Sequence, residues 1–178
     1  MDKTAVGRAV FWLARSIAIT GGLVLTALVL LMVFSVIGRA LIWAGLSSIH
    51  GDYELVEAGV GFAIFAFLPW AHLTRGHAIV SIFTDFAGAR INAWILVVTD
   101  ALMLVVAAFL TWRHGLGTID KFNYGETTLL LRMPLGWSYA ASLVGAVAFV
   151  IVAAYVLARS VSLALSADPP HPANGAGH

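Results

Sequence analysis

Apolar residues gather into four long stretches along this chain, and nearly every charge falls between them. Residues 16–38 and 133–158 hold no Asp, Glu, Lys, Arg or His. Residues 91–112 hold one charge, Asp100, and residues 58–71 hold none but form a short run. A bilayer's hydrocarbon core, about 30 Å thick, needs roughly 20 apolar residues in a helix rising about 1.5 Å per residue. Inside lipid only a helix or a closed barrel satisfies every backbone group, and these runs lack strand alternation. The pattern therefore predicts an all-α polytopic membrane protein with spans at residues 16–38, 54–73, 91–112 and 133–158. The second span must start near Glu54 to cross fully. That draws Glu54 and Glu57 into its first turns, where acids suit the positive end of the helix dipole.

The intervening segments carry patterns of their own. Val6, Val10, Leu13 and Ile17 make residues 5–15 an amphipathic lead-in, expected to lie along the membrane surface. Residues 39–53 include Leu41, Ile42, Trp43 and Leu46, so this loop should hug the interface or a partner. Ile79, Ile82, Phe83 and Phe86 recur at i, i+3, i+4 and i+7 and predict an amphipathic helix over residues 78–88, too short to span. It is either a connector resting on the leaflet or a bracket against another subunit. Residues 113–132 form the longest polar segment, with turns expected at Gly115, Gly117, Asn123 and Gly125. The organisation predicted is a four-helix transmembrane domain over residues 1–166 and a disordered Pro/Gly/His-rich tail over 167–178.

Composition narrows the class further. A chain with 61% hydrophobic residues, 11% charged residues and a mean hydropathy of +0.94 cannot hide its apolar surface in water. A net charge of +1 without a basic patch argues against nucleic acid as a partner. The absence of cysteine excludes disulfides, thiolate metal sites and Cys nucleophiles. Lys3, Arg8 and Arg15 before the first apolar run suggest a signal peptide, but that run exceeds the roughly 7–15 residues of an h-region and no A-x-A-like site follows. A retained first helix is predicted. With both termini on the cytoplasmic side, Lys3, Arg8, Arg15, Arg75, Arg90 and Arg159 lie inside, against Arg39, Arg113, Lys121 and Arg132 outside. That bias has the sign of the positive-inside rule. All six tryptophans fall at or near span ends, as interfacial belts require.

Few residues carry candidate chemistry. Asp100 sits within the third span, where a carboxylate is a functional candidate by default as a proton relay or cation ligand. The alternative is a packing contact in which the acid hydrogen-bonds across a helix interface. No second acid or base lies at that depth in the other spans, which favours the packing contact. Haem would need paired histidines inside spans, yet His50, His72, His77 and His114 fall in loops or at span ends. The two tail histidines make a poor metal site, so neither cofactor nor metal is expected. Gly59/Ala63 and Ala141/Gly145 have the small-xxx-small spacing that lets helices approach closely. No phosphate-binding loop, nucleophile–base pair or HExxH motif is present, so no catalytic residue is expected and the chain reads as a membrane subunit rather than an enzyme.

Three stretches then carry a family likeness. They are the acidic start of the second span, Gly51-Asp52-Tyr53-Glu54-Leu55, its exit, His72-Leu73-Thr74-Arg75-Gly76-His77, and the start of the last span, Arg132-Met133-Pro134-Leu135-Gly136-Trp137-Ser138-Tyr139. In order and spacing over residues 15–160 they resemble the small permease subunit of tripartite ATP-independent periplasmic (TRAP) transporters. The chain departs from that pattern at Ala140-Ala141-Ser142-Leu143, where the family often has a proline, and at Thr74-Arg75, where it has a doubled basic pair.

The resemblance implies ion-gradient-driven import of an organic acid such as a C4-dicarboxylate. A periplasmic substrate-binding protein would deliver the solute to a large permease subunit that carries the substrate and ion sites. This chain would be the large subunit's scaffold in a heterodimer, with both termini cytoplasmic in the bacterial inner membrane. Candidate partner contacts are Glu54, Glu57, Arg75, His77 and Asp100, with Arg132, Pro134 and Trp137 from the third motif. No substrate-binding residue is implied. Two other readings stay open: a membrane anchor of a respiratory complex, with or without haem, and a self-sufficient homo-oligomeric exporter centred on Asp100.

Overall fold

The computed structural model describes residues 4–74 and 88–165, with only the backbone for 88–90. It contains α1 (Ala5–Ala40), a short 3-10 turn (Ile42–Ala44), α2 (Asp52–Leu73), α3 (Gly88–Asn123) and α4 (Leu135–Leu165). Each of the four α-helices is long and apolar enough to cross a membrane. Among the described residues there is no strand, only an isolated antiparallel bridge between Thr127 and Pro134. The amphipathic segment expected over 78–88 lies outside the described residues except for Gly88, and the tail lies wholly outside them.

The helices run further than the apolar stretches. Thr4 caps α1, its Oγ1 accepting a hydrogen bond from the Gly7 amide at 3.2 Å. No Pro or polar cluster interrupts residues 5–15, and their one glycine, Gly7, lies in the first turn, so the lead-in joins the first span in one 36-residue helix rather than forming a separate surface element. Its length of about 54 Å exceeds the hydrocarbon thickness, which a tilted helix or one projecting beyond the bilayer accommodates. α3 likewise continues to Asn123, so the turns expected at Gly115 and Gly117 do not occur there, and the chain turns only at Asn123–Gly125, where the Gly125 amide donates to the Phe122 carbonyl. Gly115 and Gly117 both face α4: an added Cβ would meet Leu143 from Gly115 and the Tyr139 ring from Gly117. They provide close packing, not a break. Only Gly125, with φ +60°, makes the turn.

α4 is the centre of the bundle and packs against all three other helices. Of its most apolar window 44% is buried, against 6% for α1, so α4 forms the core and α1 the rim. Small residues set the distances. A Cβ on Gly145 of α4 would lie 2.8 Å from the carbonyl of Phe65 in α2, and one on Gly21 of α1 would lie 2.8 Å from the Ala66 Cβ. Gly59 faces Leu28, and Ala63 is buried, so that small-residue pair is at an interface. In the other pair Gly145 is buried but Ala141 is exposed.

Two apolar clusters complete the core. Val10 and Ala14 of α1 meet Val152 and Val156 of α4, and Ala107 of α3 meets Phe149 and Ala153. The outer faces of α1 and α3 present large apolar side chains such as Leu23, Val29 and Phe34, and Val98, Leu102 and Val105. In water such a surface would be an aggregation liability; facing lipid tails it is the ordinary exterior.

Replacing Gly145 with Leu is expected to drive α2 and α4 apart and to lower the melting temperature of the detergent-purified chain, at a cost of about 3 kcal/mol or more for backbone overpacking. Gly22→Ala, where nothing lies within 4 Å, should leave it unchanged or slightly raised.

Candidate functional site

Polar side chains in this bundle are organised mainly at the end where α1 passes to α2 and α3 passes to α4. Asp52, at the start of α2, is buried. Its Oδ2 accepts hydrogen bonds from Ser35 Oγ at 2.5 Å and Arg39 Nη2 at 2.6 Å, and its Oδ1 from the Tyr53 amide at 2.9 Å. Arg39 also donates to the Tyr53 hydroxyl at 3.2 Å and lies 5.5 Å from the ring centroid. A carboxylate and a guanidinium this close need their remaining valences filled, and the two hydroxyls and the amide fill them. The cluster fastens the last turns of α1 to the first turn of α2.

Glu54, one residue beyond Tyr53, reaches a different target. Its Oε1 accepts from the Leu130 amide at 2.7 Å and its Oε2 from the Leu131 amide at 2.9 Å, holding the α3–α4 loop across 76 residues of sequence. The loop is folded on itself as well. The Thr128 amide donates to the Met133 carbonyl at 2.9 Å, Met133 donates back to Thr128 Oγ1 at 3.0 Å, and Lys121 Nζ meets Glu126 Oε2 at 2.5 Å. Arg132 has φ +51° and is the one non-glycine residue of the described chain in left-handed backbone. That conformation is disfavoured for a side chain with a Cβ, so the surrounding hydrogen bonds must impose it. The result is a fixed loop whose tip, Leu129, is 92% exposed.

The α3–α4 seam is joined along its length by hydrogen bonds between helices. Ser160 Oγ donates to Asp100, Thr111 Oγ1 donates to the Ala146 carbonyl at 3.0 Å, and His114 Nε2 lies 3.1 Å from the Tyr139 carbonyl. Because a carbonyl can only accept, that histidine nitrogen carries the proton. The His114 ring stacks on Tyr139 with centroids 5.3 Å apart and planes 8° apart, and meets Phe65 at 4.9 Å. Beside this stack a cavity of about 270 Å³ opens between α2, α3 and α4, bordered by Glu57, Thr128, His114, Ser138 and Ser142.

The residues singled out in the sequence fall into three groups. Glu54, Arg132, Pro134 and Trp137 come together at the acidic end: Glu54 holds the loop, Arg132 shapes it, and Pro134 bridges Thr127. Trp137 is exposed in the first turn of α4, edge-on to Phe122. Glu57 is exposed at the nearby cavity. Asp100 lies far from these, on the Gly88 side of the middle of α3, and is only 4% exposed. Arg75 and His77 lie outside the described residues. Sequence reasoning missed the Ser35–Arg39–Asp52 cluster and the role of His114. The available signals were a serine one turn before Arg39, which follows the first span, and Thr111, His114 and Thr118 at helical spacing, running from the third span into the segment taken for a loop.

These observations define a class. A bundle with a lipid-compatible exterior, whose polar groups fasten helices and loops to one another, is a multi-pass membrane subunit. The family model for tripartite ATP-independent periplasmic transporters, DctQ component, matches residues 28–163, and the chain belongs to that family. No curated protein matches the chain, and no solved structure does.

Two outcomes follow from the geometry. Removing the Glu54 carboxylate (Glu54→Ala) should free the Leu130 and Leu131 amides, whose hydrogen exchange is expected to accelerate by about tenfold or more, since bonds to a charged acceptor contribute roughly 1.5–3 kcal/mol. Asp100→Asn keeps an acceptor for Ser160 and should preserve assembly and melting temperature, whereas Asp100→Leu removes the buried acceptor of the Ser160 hydroxyl and should destabilise the chain by about 1–3 kcal/mol in the same melting assay.

Proposed function

We propose that this chain is the scaffold subunit of a TRAP transporter that imports an organic acid, of which a C4-dicarboxylate is the representative class, by ion-gradient-driven transport. The observation that carries the reading is the DctQ-component match over residues 28–163. In it the acidic end faces the periplasm and both termini face the cytoplasm of a bacterial inner membrane. A large permease subunit binds solute and ion, and a soluble binding protein delivers the solute near residues 39–53 and the Leu129 loop. The architecture fits this role. α4 is gripped on three sides, and the hydrogen bonds of the seam tie helices together rather than line a path between them.

The burial of Asp100 against Ser160 supports a packing contact over the ionisable centre that an exporter would need. Reconstitution tests the proposal. The chain alone in liposomes should move no organic acid, and the chain with its large subunit and binding protein should do so under an ion gradient. Transport by the chain alone, abolished by Asp100→Asn, would overturn it.

A further inference from the structure

The acids near the acidic end are not treated alike. Asp52 is held by Ser35 and Arg39, Glu54 by two loop amides, and Glu126 by Lys121. Among the described residues Glu57 has no hydrogen-bond or ion-pair partner, and it is such an acid placed at a cavity. Asp120 also has none, but it does not border that space. The cavity's lining includes two carboxylates, Glu54 and Glu57, and no Lys or Arg. Of its other polar contributors, Thr128, Ser138 and Ser142 can all offer oxygen acceptors, His114 and Tyr139 lie stacked on each other at its wall, and Phe65 presents an aromatic ring. About 270 Å³ is room for several waters or for the end of one long side chain.

The position of Glu57 adds a second constraint. α2 is flanked by α1 and α4, and its exposed stripe runs Tyr53, Glu57, Val60 and Ile64. Only this carboxylate interrupts an otherwise apolar lower stripe. Facing lipid it stays costly, because a carboxylate at the edge of the hydrocarbon has no counter-charge. A cation presented by a packed helix removes that cost and fills the cavity. A guanidinium suits the site best, with several donors for Glu57 and the surrounding oxygens and a flat face for Phe65.

We propose that this cavity is the socket for a basic side chain, Arg in preference to Lys, from the large membrane subunit, with Glu57 as its counter-ion. The inference rests on the scaffold reading given above and adds the chemistry by which the partner is gripped.

The test uses the chain co-expressed with its large subunit. Glu57→Lys should lower recovery of the large subunit by roughly tenfold or more, because like charges then face each other, while Glu57→Gln should lower it less. Both variants should melt like the parent chain when purified alone, since Glu57 has no hydrogen-bond or ion-pair partner among the described residues. The natural chain has no cysteine, so Ala58→Cys places a single thiol in the cavity wall and leaves Glu57 intact. In liposomes that thiol should react with a water-soluble maleimide when the chain is alone, and about tenfold more slowly in the complex. Parent-level recovery of Glu57→Lys overturns the socket, as does equal labelling in both states. Protection of the thiol already in the chain alone assigns the cavity to lipid and overturns it too. Failure of the parent chain to retain any large subunit is a different result, because it removes the scaffold reading itself.

Discussion

At Gly145 the backbone of α4 lies against the backbone of α2, and most of the bundle is arranged around that contact. Its origin is partly covalent. Pro69 sits inside α2 and has no N–H, so it cannot bond the carbonyl of Phe65 one turn earlier. In lipid a carbonyl left this way needs a neighbour, because no water can serve it. At that turn α4 packs on α2 through Gly145, whose missing side chain lets the helix approach where a Cβ would come within 2.8 Å of that carbonyl. A proline on one helix and a glycine on the next are thus two halves of one packing decision.

The same solvent argument explains why hydrogen bonds and small residues recur at the remaining interfaces. Helices in lipid gain little by burying apolar surface against each other, since lipid tails are as apolar as leucine. Association must come from close contact and from polar groups that find partners across the gap. α1 meets α2 through Gly21 and Gly59, and α3 meets α4 through Asp100, Thr111 and His114. Each such bond contributes modestly, about 0.6 kcal/mol on average in membrane proteins, so it is their distribution along the seam that fixes its register. At the acidic end, where charges are admitted, the fastenings become ionic: Arg39 with Asp52, and Glu54 with two amides.

Much of this was legible before any coordinates. The apolar runs located all four helices, because span length and backbone satisfaction leave few alternatives. The error lay in equating polarity with the end of a helix. Residues 113–123 contain Arg113, Asp120 and Lys121 and two glycines, yet they are helical because their buried face, with His114 and Thr118, is the continuation of the α3–α4 seam. A linear reading sees charges leaving the membrane; it cannot see that α4 still runs alongside. Glu54 was noticed for its place in the first helical turn, which the dipole explains. Its actual partners lie more than seventy residues away, and no local pattern announces them. Asp100 drew notice as the one charge within the third apolar run, and its contact to Ser160 needed only the antiparallel pairing of α3 with α4.

What these contacts share is direction. Most of them turn inward, and they leave a body with few groups waiting for something outside it. On the proposed reading that is what a scaffold needs, because a support that exchanged its own bonds whenever the neighbouring subunit moved would transmit the motion instead of resisting it. The Arg39–Asp52 cluster and the Glu54 grip make the acidic end rigid, so the geometry around the nearby cavity is set before any partner arrives. Preorganisation of this kind lowers the ordering entropy of association and makes a single unpaired charge more discriminating, since its surroundings cannot rearrange to supply a substitute. Glu57 is therefore meaningful by contrast: an open valence on α2 carries information only because Asp52 and Glu54, within the same first two turns, have already closed theirs.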